Sequence, residues 1–481
     1  MKRCIFVITG FLLVLGLYAV QNKTMSGKAP KGMPPKDFAD GELPPPPPDG
    51  LPPEGMPGEF GHVPDEKEPE LTATIIVSDE EKKISEGEYT CEEADKSVLL
   101  AQNGAKVSVS DAVFAKNAGD TSNGGQSNFF GLNAAVIAKG ESSVNLKNVT
   151  VTSDADGSNA VFATGEGTVI EAENIKIRTE QNSSRGLDAT YGGKILAKNV
   201  DIETQGAHSA AFATDRGEGD VIVNGGKALT NGEGSPVIYS TGNISVKNLE
   251  GQANASEIAV IEGKNSITIE NSKLAGGTKA ADAKHHKEAA KAIMLYQSMS
   301  GDAGQGTSVF TAKDSTLTST SDGAFFYITN THGIINLENT EIENPGDVLL
   351  QAEGNESERG WGRKGKNGGM VTVNTKNQLL KGDIFADEIS FVILNFGEGS
   401  EYTGAINKMI KSTHVNLKLD KKATLTLTAD SYVEVFENGD KKCANIVSNG
   451  HTLYYNKKSP DNKWLKGKTI KLKDGGEIRG I

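Results

Sequence analysis

A short strand template recurs ten times between residues 107 and 375, and it constrains the fold more than any other feature of the chain. Val107-x-Val109-x-Asp111, Val144-x-Leu146-x-Asn148, Ile170-x-Ala172-x-Asn174, Ile195-x-Ala197-x-Asn199 and Val221-x-Val223-x-Gly225 follow it. Ile244-x-Val246-x-Asn248, Ile267-x-Ile269-x-Asn271, Phe310-x-Ala312-x-Asp314, Ile335-x-Leu337-x-Asn339 and Val371-x-Val373-x-Thr375 continue it. The closing positions are 37, 26, 25, 26, 23, 23, 43, 25 and 36 residues apart, so six repeats are regular and three carry insertions. Apolar residues at alternate positions share one face of a strand, and the Asn that follows is well able to take a left-handed bend. One such coil cannot bury its own apolar edge, so the pattern demands stacking, and stacked bends predict an asparagine ladder.

A second strand column precedes the first by about ten residues: Ala135 to Ala138, Ala160 to Ala163, Ala211 to Ala213, Val237 to Tyr239, Ala259 to Ile261, Phe325 to Tyr327 and Val348 to Leu350. A third follows the Asn, as in Val149 to Val151, Ile175 to Ile177 and Val200 to Ile202. Three short strands per repeat make one coil of a right-handed parallel β-helix, an all-β solenoid. About twelve coils at roughly 4.8 Å each give a rod approaching ~60 Å. With 36% hydrophobic but only 6% aromatic residues, the core is expected to consist of Val, Ile, Leu and Ala. Residues 71–96 are expected to cap the N-terminal edge, 97–388 to form the helix, and 389–481 to supply terminal coils and a C-terminal cap.

Residues 1–20 read as a signal peptide: Lys2 and Arg3 precede an uncharged apolar run from Ile5 to Val20. Cleavage after Ala19 is the expected processing, with an uncleaved N-terminal anchor as the alternative and the chain's sole route to a membrane. Residues 21–70, with Pro44 to Pro48, read as an extended Pro-rich spacer. Secretion or display at the cell surface follows from both. Cys91 and Cys443 sit near opposite ends of the repeats, too far apart to pair in a long solenoid. The net charge is −13, and removing Lys2 and Arg3 leaves about −15, which argues against nucleic acid as a partner.

The stretches Asn128 to Ala135, Ser235 to Thr241, Val260 to Ile267, Tyr296 to Ala303 and Gly360 to Gly362 are similar to those of secreted, adhesin-like β-helix proteins of gut clostridia. That resemblance covers roughly residues 90 to 460. It implies the pectate-lyase-like superfold and an extracellular setting, but no reaction, because one fold hosts many functions.

β-Helical lyases use a calcium-holding carboxylate cluster or a Lys or Arg base, and β-helical hydrolases set two or three Asp side by side. The chain has no Asn-Thr-Asp, Asp-Asp, Gly-His-Gly or Arg-Ile-Lys motif, so no catalytic residue, cofactor or metal site is assigned. Asp154, Asp156 and Gly157 are half of a calcium loop, better read as a solvated turn. His285-His286 belong to a run that reads as a short exposed helix.

More suggestive is a line of turns just after the second column, which carries Asp215-Arg216, Ser240-Thr241, Glu262 with Lys264, Tyr296-Gln297, and Asn330 with His332. The loop from Arg359 to Lys366 lies beyond. Stacked, they form a polar and aromatic strip about 20 Å long. Arg216, Glu262, Lys264, Tyr296, Asn330, His332 and Trp361 are the candidate ligand-binding residues, with Tyr296 or Trp361 stacking on a sugar ring. The plainer reading of the strip is the solvated side of the rod. The expected function is that of a monomeric, adhesin-like protein binding polysaccharide or a host or cell-surface glycan without catalysis. The alternative is a polysaccharide lyase or glycoside hydrolase using Lys264, Arg216 or His332 as base or charge stabiliser.

Overall fold

The computed structural model describes residues 67–279, 289–298, 300–355 and 361–481. The signal peptide, nearly all of the spacer, His285-His286 and Arg359 lie outside the described residues.

The repeat template is the register of the strands. Val107 lies beside Val144, Val144 beside Ile170, Ile170 beside Ile195, Ile195 beside Val221 and Val221 beside Ile244, all in parallel pairing. Ile244, Ile267, Phe310 and Ile335 extend the row. Ile335 then lies beside Val373, while Val371 lies beside Gly333, so the last template match is offset by two residues. Every apolar template residue, from Val107 to Val373, is buried in one continuous core. The second column forms a separate parallel sheet of twelve strands, from Thr72–Ser78 to Asp383–Ala386. Among the described residues, helix is confined to short pieces such as Gly124–Phe130 and the 3-10 turn Pro460–Leu465. The fold is therefore the expected all-β parallel β-helix.

The bends fall where Asn or a stand-in sits. Asp111, Asn148, Asn174, Asn199, Asn248, Asn271, Asp314 and Asn339 all take φ between 46° and 55°, and Gly225 takes 86°. Their side chains form an exposed ladder. Asn148 donates to Asp111 at 2.9 Å, Asn174 to Asn148 at 2.9 Å and Asn199 to Asn174 at 2.7 Å, and beyond an insertion Asn339 donates to Asp314 at 2.7 Å. Thr375 breaks the expectation. It is buried inside the strand Met370–Lys376, and the bend falls two residues later at Asn377, with φ 47°. Thr375 lies beside Leu337 on the inward row, and Asn377 is the residue in line with the bend at Asn339, a left-handed position where Asn is tolerated and a β-branched residue is costly.

The solenoid has about 16 turns, more than the twelve expected. Residues 71–96, expected to cap the edge, instead supply the first rungs: Thr72–Ser78 pairs with Lys96–Gln102, and Glu81–Cys91 with Lys106–Lys116. At the other end, Val371 is followed in register by Val392 and Val415, and Leu417 by Phe436, where the strands stack on without the template's closing Asn. Ile470–Lys471 then runs antiparallel to Glu477–Gly480 and closes the last sheet. The Trp464 indole donates to the Phe436 carbonyl at 2.8 Å and holds the 3-10 turn against the final coils.

Candidate functional site: the covered face of the twelve-stranded sheet

Along each strand of the twelve-stranded sheet one residue points into the core and the next points out. Val161, Leu187, Ala259, Ile293 and Phe326 face inward, and Phe162, Asp188, Val260, Met294 and Tyr327 beside them face outward in register. Outward residues of a solenoid ordinarily meet water, yet all five of these are buried.

They are covered by the insertions. The long spacing of 37 residues contains Gly124–Phe130, whose Phe129 carbonyl accepts a hydrogen bond from Thr190 at 2.9 Å. The spacing of 43 contains the turn 300–306, and the spacing of 36 contains Trp361. The Trp361 ring lies 4.8 Å from that of Tyr296, tilted by 53°. The described parts of all three insertions fold over the same face.

Beneath them lies a network of charge drawn from separate coils. The Arg185 guanidinium reaches Asp188 at 3.0 Å and Asp215 at 2.8 Å, with all three side chains at most 10% exposed. Arg216 pairs with Asp302 at 2.7 Å and stacks 3.9 Å over the Phe129 ring. Glu262, at the end of its strand and 1% exposed, accepts hydroxyl hydrogen bonds from Tyr239 at 2.9 Å, from Tyr296 at 2.7 Å and from Ser298. Burial pushes the Asp215 carboxyl up to about 7; Arg185 opposes the shift, and Asp302 and Asp188 add to it. Burial likewise raises Asp188 against the pull of Arg185, and raises Glu262 against its hydroxyl donors. Burial works against charge on Arg185 too, but the two carboxylates outweigh it and keep the guanidinium protonated.

Of the seven candidate residues, Glu262, Tyr296 and Trp361 are brought together, with Arg216 joined to them through Asp302. Asn330 borders this group through a 2.7 Å bond to the Gln297 carbonyl. Lys264 turns to Glu218 at 2.6 Å. His332 begins a strand of the neighbouring sheet, where its Nδ1 lies 3.3 Å from the Thr307 hydroxyl and partial burial lowers its pKa. The expected sugar platform is corrected by burial: Tyr296 is 8% and Trp361 5% exposed, and their rings pack on each other and on Val260, Met294 and Tyr327. Tyr239, half-buried in the same cluster, is the aromatic with surface left to offer. Arg185, Asp188, Tyr239, Ser298 and Asp302 were not among the candidates. The one signal for them in the sequence is a charged residue inside an otherwise apolar strand, as Asp188 is between Leu187 and Ala189.

A second, open groove of about 470 Å³ runs along the asparagine corner between Lys176, Asp201, Lys227 and Glu250. Charges of both signs line it, and Lys227 is paired with Asp201.

These features define a parallel β-helix with one outer face roofed by insertions. No protein-family model matches the chain, and no curated protein or solved structure matches it either.

Proposed function

We propose that this is a secreted or cell-surface, adhesin-like solenoid that binds glycan on the covered face without catalysis. The observation that supports this reading is the convergence of three insertions, spread in sequence from Gly124 to Trp361, on one outer face that carries polar and aromatic groups. Loops placed on a rigid scaffold are where binding residues concentrate. The carboxylates there are engaged by protein partners: Asp215 by Arg185 and the Arg216 amide, Asp302 by Arg216, and Glu262 by three hydroxyls. One observation favours a glycoside hydrolase as the second reading. Glu262 has a raised pKa beside Asp302, as a general acid requires.

Incubation with pectin, alginate, xylan and mucin glycans separates the two readings. The proposal expects retention on at least one polymer, with no new reducing ends and no unsaturated products. Turnover that disappears in Glu262→Gln would replace it with the hydrolase reading, and absence of retention on every polymer would remove it.

A further inference from the structure

We infer that Glu262 and Tyr239 form the core of a subsite for a neutral sugar bearing adjacent hydroxyls, and that Ser298 and Ser300 occupy it in this structure as an internal mimic of that sugar. The inference rests on the glycan-binding reading and names both the ligand class and the contact that competes with it.

A buried carboxylate is costly unless its oxygens are hydrogen-bonded. Glu262 satisfies this with two different kinds of donor. Tyr239 and Tyr296 rise from strands of the sheet beside it and belong to the floor. Ser298 comes from beyond the end of the Lys291–Tyr296 strand and reaches the other carboxylate oxygen. Its hydroxyl lies 2.6 Å from that of Ser300, a spacing comparable to that of neighbouring hydroxyls on a pyranose ring. Ser298 is the member of the pair that meets the carboxylate, with the Ser300 hydroxyl next to it, as one hydroxyl of a sugar diol would meet a carboxylate with its neighbour alongside. Tyr239 beside it is half-buried against the aromatic cluster.

The turn that follows is held in two ways. Its far end is anchored to the body by a backbone bond, the Lys264 amide donating to the Gly304 carbonyl at 2.9 Å. Its tip is held by a side-chain clip, Asp302 to Arg216. Gly301, with φ 81° and no atom within 4 Å of where a Cβ would stand, leaves the tip room to change course. Opening it requires release of the Asp302 ion pair, the Ser298 hydroxyl contact and the 3.3 Å bond from the Gln297 side-chain amide to the carbonyl of the buried Ala303, while the floor stays in place on the sheet.

Charge selects the ligand. Around the subsite Arg185 and Arg216 face four carboxylates, those of Asp188, Asp215, Glu262 and Asp302, and both guanidinium groups are already paired. An acidic sugar would meet that excess unfavourably. A neutral one brings hydroxyl donors that replace those of Ser298.

The test is an array of cello-, xylo-, manno- and chito-oligosaccharides, with oligogalacturonate as acidic control, probed with the full chain and three variants. If the tip competes with ligand, the apparent Kd exceeds the intrinsic one by the reciprocal of the open fraction. Asp302→Ala, which removes the clip, and Ser298→Ala, which removes the mimic, should each tighten binding of a neutral oligosaccharide about tenfold. Glu262→Gln should weaken it at least tenfold. Hydrogen exchange at Ser300 to Ala303 should speed up in Asp302→Ala while the sheet strands stay protected, showing that the fold is intact. If the wild-type chain binds a glycan and neither Asp302→Ala nor Ser298→Ala binds it more tightly, the mimic is overturned and the glycan-binding reading stands. If no form of the protein binds any glycan, both fall. A preference for oligogalacturonate overturns the ligand class.

Discussion

Ile269→Asp should unfold the solenoid at temperatures where Thr268→Asp leaves it folded, although the two positions are adjacent in sequence. Ile269 is 0% exposed and stacked between Val246 and Ala312, in the middle of the inward row. A carboxylate placed there has no partner, and the cost is several kcal/mol, enough to remove much of the roughly 5–15 kcal/mol stability of a typical domain. Thr268 faces outward between Ser245 and Thr311, and substitution there should stay within about 0.5 kcal/mol. Thermal melts followed by far-UV dichroism decide it. Equal shifts for both variants would mean that the faces of this strand are assigned the wrong way round.

The second large effect is expected from Arg185→Met. Methionine replaces the bulk of the side chain and removes the charge, leaving Asp188 and Asp215 buried beside each other without their cation. Breaking a buried pair in this way costs about 3–5 kcal/mol, because the remaining charges are uncompensated. The loss should depend on pH, and its sign follows from the raised carboxyl groups. Asp215 has a folded pKa of about 7, above its ordinary carboxylate value of 3.8, so the folded state holds its proton more tightly. The resulting stabilisation is full below the unfolded pKa and is lost as pH rises toward about 7. Asp188 and Glu262 are shifted in the same direction. Carboxylates such as Glu338, held low by hydrogen bonding to Lys376, act with the opposite sign only in the acid range. The half-buried His332 and His414, lowered by burial, oppose the trend within the window itself, two partly exposed groups against three fully buried carboxyls. The wild-type protein should therefore melt at a higher temperature at pH 5 than at pH 8. Arg185→Met should widen that gap and Asp215→Asn should narrow it. A wild-type melting temperature that is flat or rising between pH 5 and pH 8 would contradict the assignment.

The fold was legible because a solenoid writes its register into the sequence as a period. Aligning Val144, Ile170 and Ile195 by the Asn four residues further on reproduces the pairing of the strands they occupy. The number of coils was less legible. At the N-terminal end the first rungs lack the template, and in the expected terminal coils the stacking continues but the closing letter changes. Leu394 and Leu417 are in register with Val373 yet have Glu398 and Lys421 where Val373 has Asn377 four residues on. A second periodic signal passed unread. Thr179, Thr204 and Thr230 donate to the carbonyls of Ser184, Ser209 and Ser235 at 2.6, 2.6 and 2.5 Å, and the amides of Ser184 and Ser209 donate to the hydroxyls of Ser209 and Ser235 one coil on. This Thr-to-Ser spacing of five residues, repeated coil after coil, satisfies backbone groups that would otherwise be buried without partners.

The candidate site was legible only in part, for a physical reason. A period predicts what stacks on what, but it carries no information about where an insertion folds once it leaves the coil. Arg216 meets Asp302 across 86 residues, and Arg185 meets Asn128 across 57. Glu262 and Tyr296 could be placed together because both lie on the repeat and pair directly. Their burial under Ser298 and Trp361 could not be foreseen, and burial turns a prospective sugar platform into an aromatic contact inside the protein. It also accounts for the raised pKa values, which come chiefly from lost hydration.

Coils interrupted by insertions resume in register, and so the insertions are delivered to the same face. The most direct measurement is a disulfide across the longest interruption. Thr268 and Thr311, 43 residues apart and facing outward, are partners in adjacent parallel strands. Strands there are roughly 4.8 Å apart, within the Cα range a disulfide spans. Cys91 and Cys443 are buried and free, and replacing both with Ala leaves the introduced pair alone among the repeats. Thr268→Cys with Thr311→Cys should oxidise to a single intramolecular disulfide under mild conditions without lowering the melting temperature, whereas Thr268→Cys with Lys313→Cys, one pleat further along, should stay reduced. Efficient closure of the second pair, or failure of the first in a folded protein, would contradict the register and with it the common face.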